Sequence, residues 1–111
     1  MQRSLEIFEG AIISKHSLRL YRYQLDSFLT WTKEKDYDTL ASLDTEKIQT
    51  YLEDYILFLR KKNLKVQSIR SYLSAPQLFF DMNKKIYYKT VIQKMIAGSN
   101  HGKDEIEGND T

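Results

Sequence analysis

Apolar residues recur every three or four positions along most of this chain, the period of a helix with one buried face, and no strictly alternating run bounded by turn residues appears. Leu18, Tyr21, Leu25, Phe28, Leu29 and Thr32 form one stripe and predict a helix from Ser14, a good N-cap, to about Lys35. Ile48, Tyr51, Leu52, Tyr55, Ile56 and Leu59 predict a second, capped by Asp44 and reaching about Lys62. Ile69, Leu73, Pro76, Phe79 and Phe80 predict a third, starting near Lys65, in which Pro76 removes a backbone bond and kinks the helix to aim both phenylalanines inward. Tyr88, Val91, Ile92, Met95 and Ile96 predict a fourth, from about Tyr87 to Ala97, with Gly98 as its stop.

Shorter signals fill the gaps. Leu5 to Ile13, with Ile7, Phe8 and Ile12, holds enough apolar surface for an extra helical turn, and Asp36 to Ser42 reads as a polar connector. The pairs Ile13 and Leu18, Leu43 and Ile48, and Leu64 and Ile69 each flank a helix start at the offset of a hydrophobic staple. The chain is therefore expected to be all-α, a compact bundle of four to five helices. Residues 1–13 would be an N-terminal segment, 14–97 the folded domain, and 98–111 a flexible acidic tail or a truncated linker.

Composition narrows the chemistry. With 111 residues, 41% of them hydrophobic, there is material for one domain and a modest core. Cysteine is absent, which removes disulfides, thiolate metal sites and cysteine nucleophiles and fits a reducing cytoplasm. No apolar run is long enough to span a bilayer, and the N-terminus has no leader-like core, so a soluble, membrane-free protein is expected. His16 and His101 belong to no metal-binding spacing, no phosphate-cradling glycine loop occurs, and no cofactor is expected.

Charge changes the picture more. The net +2 divides into −1 over residues 1–14, +3 over 15–33, −5 over 34–59, +8 over 60–94 and −3 over 95–111. Such segregation suits a polyanion binder with one basic and one acidic side; the plain alternative is that the blocks scatter over the surface on folding. The second helix, with Glu46, Glu53 and Asp54, would face away from the polymer.

The third predicted helix carries the clearest functional signal. Arg60 to Phe80 contains no acid, and its polar face of Gln67, Arg70, Ser71, Ser74 and Gln77 offers an arginine fork, glutamine amides and small hydroxyls, the groups that read and grip DNA grooves. Lys65 is a poor N-cap whose conflict with the helix dipole a bound phosphate would relieve, and Ser68 offers a partial cap instead. On the first long helix Lys15, Arg19 and Arg22 line up on one face, with an (i, i+4) bridge from Arg22 to Asp26 as the competing role. Lys84, Lys85, Lys89 and Lys94 flank the last helix. The alternative for all of these positions is an ordinary solvated face.

The order Ser14, Ser17, Tyr21, Leu25, Phe28, Trp31, then Ile48 and Tyr51-Leu52 on a capped acidic helix, then Leu64, Ser68-Ile69, Tyr72-Leu73-Ser74-Ala75 and Phe79-Phe80, resembles the N-terminal, SAM-like core-binding domain of tyrosine recombinases, the phage integrase family. The similarity spans about Ile12 to Met82; Asn83 to Ile86 looks like the exit segment of archaeal integrase-like members. The resemblance implies one half of a C-shaped clamp on duplex DNA, with Lys15, Arg19 and Arg22, and Lys65, Gln67, Ser68, Arg70, Ser71 and Ser74, toward the major groove; Gln77 and Lys85 extend that set. Two departures stand out: a Ser or Thr is usual where Lys65 stands, and a leucine where Pro76 stands.

Family catalysis needs an arginine, a lysine, a His-x-x-Arg and a tyrosine nucleophile in a separate C-terminal domain, for which this sequence has no residues. His16 and Arg19 match that spacing in the wrong domain and are read as coincidence. The resemblance thus implies a DNA-binding module that is not an enzyme, monomeric when isolated, cytoplasmic and prokaryotic, and nucleoid-associated when bound. An excised domain, a truncated gene product and a natural stand-alone protein all fit. The competing function is a helical interaction or regulatory module whose partner is a recombinase or its catalytic domain, using Tyr23, Trp31 and Phe58 as an exposed aromatic surface.

Overall fold

Three helices begin where a short oxygen-bearing side chain takes up an amide left free by helical geometry. The Ser14 hydroxyl accepts from the Ser17 amide at 3.3 Å, the Asp36 carboxylate from Thr39 at 2.8 Å, and the Asp44 carboxylate from Lys47 at 2.9 Å. In the computed structural model, which describes residues 2–99, these caps open α2 (Lys15–Thr32), α3 (Tyr37–Ala41) and α4 (Thr45–Lys61). With α1 (Arg3–Glu9), α5 (Val66–Met82) and α6 (Lys89–Ser99) they make six helices, and there is no strand among the described residues. Beyond Ser99, the tail expected over 98–111 lies outside the described residues.

The all-α expectation holds, with two short helices completing the bundle. Asp36 to Ser42 is not a plain connector: one turn of helix forms there, and it buries Tyr37 and Leu40. The last long helix starts at Lys89, two residues later than expected, and runs through Gly98. Its register leaves Tyr88 63% and Val91 41% exposed, while Tyr87 turns inward with Ile92 and Ile96. α2 stops at Thr32 because Lys33 adopts a left-handed conformation, φ 65°, and closes the helix as a C-cap. Asn63 and Lys84, at φ 61° and 60°, mark the turns after α4 and α5.

The staple at α2 does not form. Ile13 is fully exposed, because the turn after α1 directs Ile12 inward in its place. At α4 and α5, Leu43 and Leu64 are half-buried against the same core as Ile48 and Ile69, as the offsets predict.

α2 and α5 make the most extensive helix pairing. Leu25 and Phe28 from α2 meet Ile69, Leu73, Phe79 and Phe80 from α5 and Leu52, Tyr55 and Ile56 from α4, all essentially buried. Phe28 packs its ring edge to face with Tyr55 and Phe80, centroids 5.0 and 6.2 Å away, and stacks on Trp31 at 6.1 Å. Trp31 and Phe58, expected to be exposed, are half-buried beside Tyr55, whereas Tyr23 remains 63% exposed. Pro76 lies inside α5, which runs unbroken from Val66 to Met82 with both phenylalanines buried.

Polar side chains bind the short helices to this core. The Gln2 carbonyl accepts from the Tyr37 and Asp38 amides at 2.6 and 3.2 Å, and Asp38 accepts from the Ser4 amide and hydroxyl at 3.0 and 2.6 Å, so α1 and α3 cap each other. The Ser4 hydroxyl and then its amide hold the Asp38 carboxyl below the usual carboxylate value. At the other end, the Tyr88 amide donates to buried Gln49 at 2.8 Å, and Arg60 donates to the Met95 carbonyl at 2.7 Å and the Ser99 hydroxyl at 2.9 Å, closing the end of α6.

Two outcomes follow for stability. Phe28→Ala should cost about 3 to 5 kcal/mol in urea unfolding, whereas Ile13→Ala should stay within about 0.5 kcal/mol of the parent. Because Asp38 has its pKa depressed on folding, its contribution is complete above the ordinary carboxyl value of 3.8 and is lost as pH falls through the lower folded value. Amide exchange in α1 should therefore accelerate relative to α4 as pH drops below 3.8, and Asp38→Asn should remove that pH dependence.

Candidate nucleic-acid interface

The eleven positions singled out in the sequence divide between two places on the fold. Lys15, Arg19 and Arg22 line a shallow hollow beside α1 that also holds Glu9 and Asp26. Arg22 is engaged there: its Nη1 lies 2.9 Å from Glu9 and its Nε 3.3 Å from Asp26, the (i, i+4) bridge expected as its competing role. The Tyr37 hydroxyl donates to the same Asp26 carboxylate. Partial burial pushes the Arg22 guanidinium down, but Asp26 and Tyr37 outweigh it and hold the group above its ordinary value. Arg22 therefore ties α1, α2 and α3 together, while Lys15 and Arg19 beside it point to solvent.

The second group lies on and after α5. Lys65 precedes the helix without capping it, and Lys65, Gln67 and Arg70 are all exposed. Ser74 and Gln77 are half-buried along the same side, whereas half-buried Ser68 lies about half a turn around α5 from Gln77 and is not part of that face; Lys85 follows the helix end. Ser71 accepts a 2.8 Å hydrogen bond from the buried Gln24 amide, which fixes the crossing of α2 on α5. The Ser74 hydroxyl donates to the Arg70 carbonyl at 3.0 Å and stays on its own helix. Among the described residues, the side chains of Lys15, Arg19, Lys65, Gln67, Arg70 and Lys85 make no hydrogen bond or ion pair.

Helical geometry separates the two groups. Gln24, which touches α5, lies roughly half a turn around α2 from Arg22 and well over a quarter turn from Arg19, so the α2 cations look away from the α2–α5 seam. The neighbour that α5 presents on its outward side is α6. Arg70, Gln77, Gln93 and Ile96 line one hollow of about 330 Å³, and Ser74, Gln77, Lys89 and Gln93 contribute to an adjoining one of about 370 Å³. Lys89 is paired with Asp81 at 3.1 Å.

The sequence reading missed Gln93, which is exposed and has no hydrogen-bond partner among the described residues. Its signal was a polar position one residue after Ile92 and three before Ile96, hence on the rim of the last helix's buried stripe. It also missed Arg60, whose role as a clamp on α6 depends on contacts 35 and 39 residues away.

An aromatic hollow of about 380 Å³ lies elsewhere, between α2, α4 and the start of α5, with Tyr23, Trp31, Phe58 and Tyr72 on its walls and Lys62 at its edge. The Lys62 ammonium sits 5.0 Å over the Phe58 ring.

The family model for the N-terminal SAM-like domain of phage integrase matches residues 6–85. No curated protein and no solved structure matches the chain.

Because Arg22 is paired and Arg19 is not, the two arginines should separate by experiment. Arg22→Ala is expected to lower unfolding free energy by about 1 kcal/mol and to speed exchange in α1, as loss of partly exposed ion pairs does. Arg19→Ala should leave both unchanged in the same urea and hydrogen-exchange measurements.

Proposed function

The chain belongs to the family of phage integrase N-terminal SAM-like domains, and we propose that it grips duplex DNA as one half of a clamp in DNA integration or recombination, without supplying catalytic residues of its own. The observation that carries this reading is the outward side of α5: Lys65, Gln67 and Arg70 stand exposed and unpaired, on a stretch that contains no acid from Arg60 to Phe80. Keeping cationic and amide side chains free of internal partners favours an external anion, because a phosphate then need not displace a carboxylate. Lys85, after the end of α5, and Lys15 and Arg19, on a separate face of α2, add unpaired charge whose field steers the approach of the polymer.

Four of the eight tyrosines are buried or engaged within the fold. Burial pushes the Tyr55 hydroxyl up to about 12, and the hydrogen bond to Glu34, with some burial, does the same for Tyr51. Tyr37 and Tyr87 are raised further, chiefly by burial. Among the described residues no helix is long and apolar enough to cross a membrane. The proposed setting is the prokaryotic cytoplasm, at the nucleoid when bound, with the isolated chain a monomer.

The aromatic hollow favours a second reading, a module that docks a recombinase or its catalytic domain. Trp31, the sole tryptophan, lines it and would report docking directly. A shift in its emission on mixing with a recombinase catalytic domain, without any DNA binding, would move the assignment to this reading.

For the DNA reading, anisotropy with a short labelled duplex should show affinity falling steeply between about 50 and 200 mM salt. Arg70→Glu is expected to weaken binding about tenfold and Arg70→Ala to lower the salt slope by about 1. Charge reversal of exposed Asp54 on α4 should change affinity less than twofold. Equal effects at Arg70 and Asp54 would show that α5 does not face the polymer.

A further inference from the structure

Phosphate and base edges ask for different surfaces, and the seam between α5 and α6 matches the second. A phosphate site needs net positive charge. Here the cation at the far end of the seam, Lys89, is neutralised by Asp81 at 3.1 Å, which leaves Arg70 as the only unpaired charge on the walls described for the two hollows. What remains is amide: Gln77 from α5 and Gln93 from α6 line both hollows, so together the hollows form one trough with a glutamine on each wall. A glutamine amide carries a donor and an acceptor side by side, the pairing that meets N6 and N7 of adenine in the major groove.

Two further observations point to a ligand rather than to an idle seam. Gln93 is exposed and makes no hydrogen bond to any described residue. At the floor, the Tyr87 hydroxyl is buried, the residue being 6% exposed, and has no partner at hydrogen-bond geometry. The Asp81 carboxylate and the Gln77 amide both lie near this hydroxyl, but neither meets it at bonding geometry, so among the described residues the Gln77 amide is not committed to it.

We propose that Gln93 of α6, with Gln77 of α5 opposite it, reads an adenine edge of the bound duplex in the α5–α6 trough. The inference rests on the DNA reading above and adds to it a second helix, a base-specific contact and a residue outside the α5 strip. The free side chains of Lys65 and Arg70 hold the backbone, and the glutamine pair supplies discrimination.

The test uses the full chain, selecting from a library of random duplexes and measuring affinity for one fixed selected duplex across a salt series. The parent should enrich a motif with at least one position preferring adenine about tenfold or more. Gln93→Ala should flatten preference at that position while leaving the salt slope, the thermal midpoint and affinity for unrelated duplexes unchanged; Gln77→Ala should affect the same or the adjacent position. Arg70→Ala should instead weaken all duplexes alike and lower the slope. Binding without base preference by the parent, or uniform weakening or no change with Gln93→Ala, would overturn the inference and leave the DNA reading standing. Failure of the parent to bind any duplex would remove the DNA reading and this inference together.

Discussion

The fold depends on one ring. Phe28 sits where α2, α4 and α5 converge, edge on to Tyr55 and Phe80 and stacked on Trp31, and each partner comes with its own buried neighbours. Large rings set at angles fill the space between three helices with few atoms to spare and fix the helix orientations more tightly than flexible aliphatic side chains do. The crossing of α2 on α5 is then held at one polar point, the Gln24 to Ser71 hydrogen bond, and the outward side of α5 is oriented as a consequence. The side chains that meet a partner are therefore placed by residues that never touch it.

Much of this was legible because helical period is a strong signal. The stripes on α2, α4 and α5 placed the core residues correctly except Leu18, which lines the hollow beside α1 and does not pack on the core, and short polar side chains at Ser14 and Asp44 marked true helix starts. Other features were hidden by their physics. α3 is five residues long, too short to show a period, and it exists because Tyr37 and Leu40 find the core and because Gln2, 35 residues earlier, caps it. α2 ends at a lysine in the left-handed region, where glycine would have given a readable stop. The inward turn of Tyr87 in place of Tyr88 follows from the late start of α6, with Gln49 taking the Tyr88 amide from a distant helix.

The charged residues show the same division between local and non-local information. Arg22 and Arg70 look alike in sequence, each on the polar side of an amphipathic helix. Folding brings Glu9 to one and no acid to the other, and that difference separates a brace from a free contact group. The bridge from Arg22 to Asp26 could be read from (i, i+4) spacing, whereas the contribution of Glu9 required α1 to fold back on α2. Gln93 was overlooked for the complementary reason: its importance comes from which helix lies opposite.

The clamp at the end of α6 has a mechanical meaning. Arg60 ties the Met95 carbonyl and the Ser99 hydroxyl to the last turn of α4, so the last described turn of α6 is fastened to a second helix. A tension applied to the backbone after Ser99 would load the Arg60 guanidinium before it could unwind α6. Part of the force would then pass into α4, the helix that carries Tyr55, rather than wholly through α6 into its seam with α5. The end of α6 is in this sense braced from α4 as well as from α5, and the helix that carries Gln93 is held on both sides.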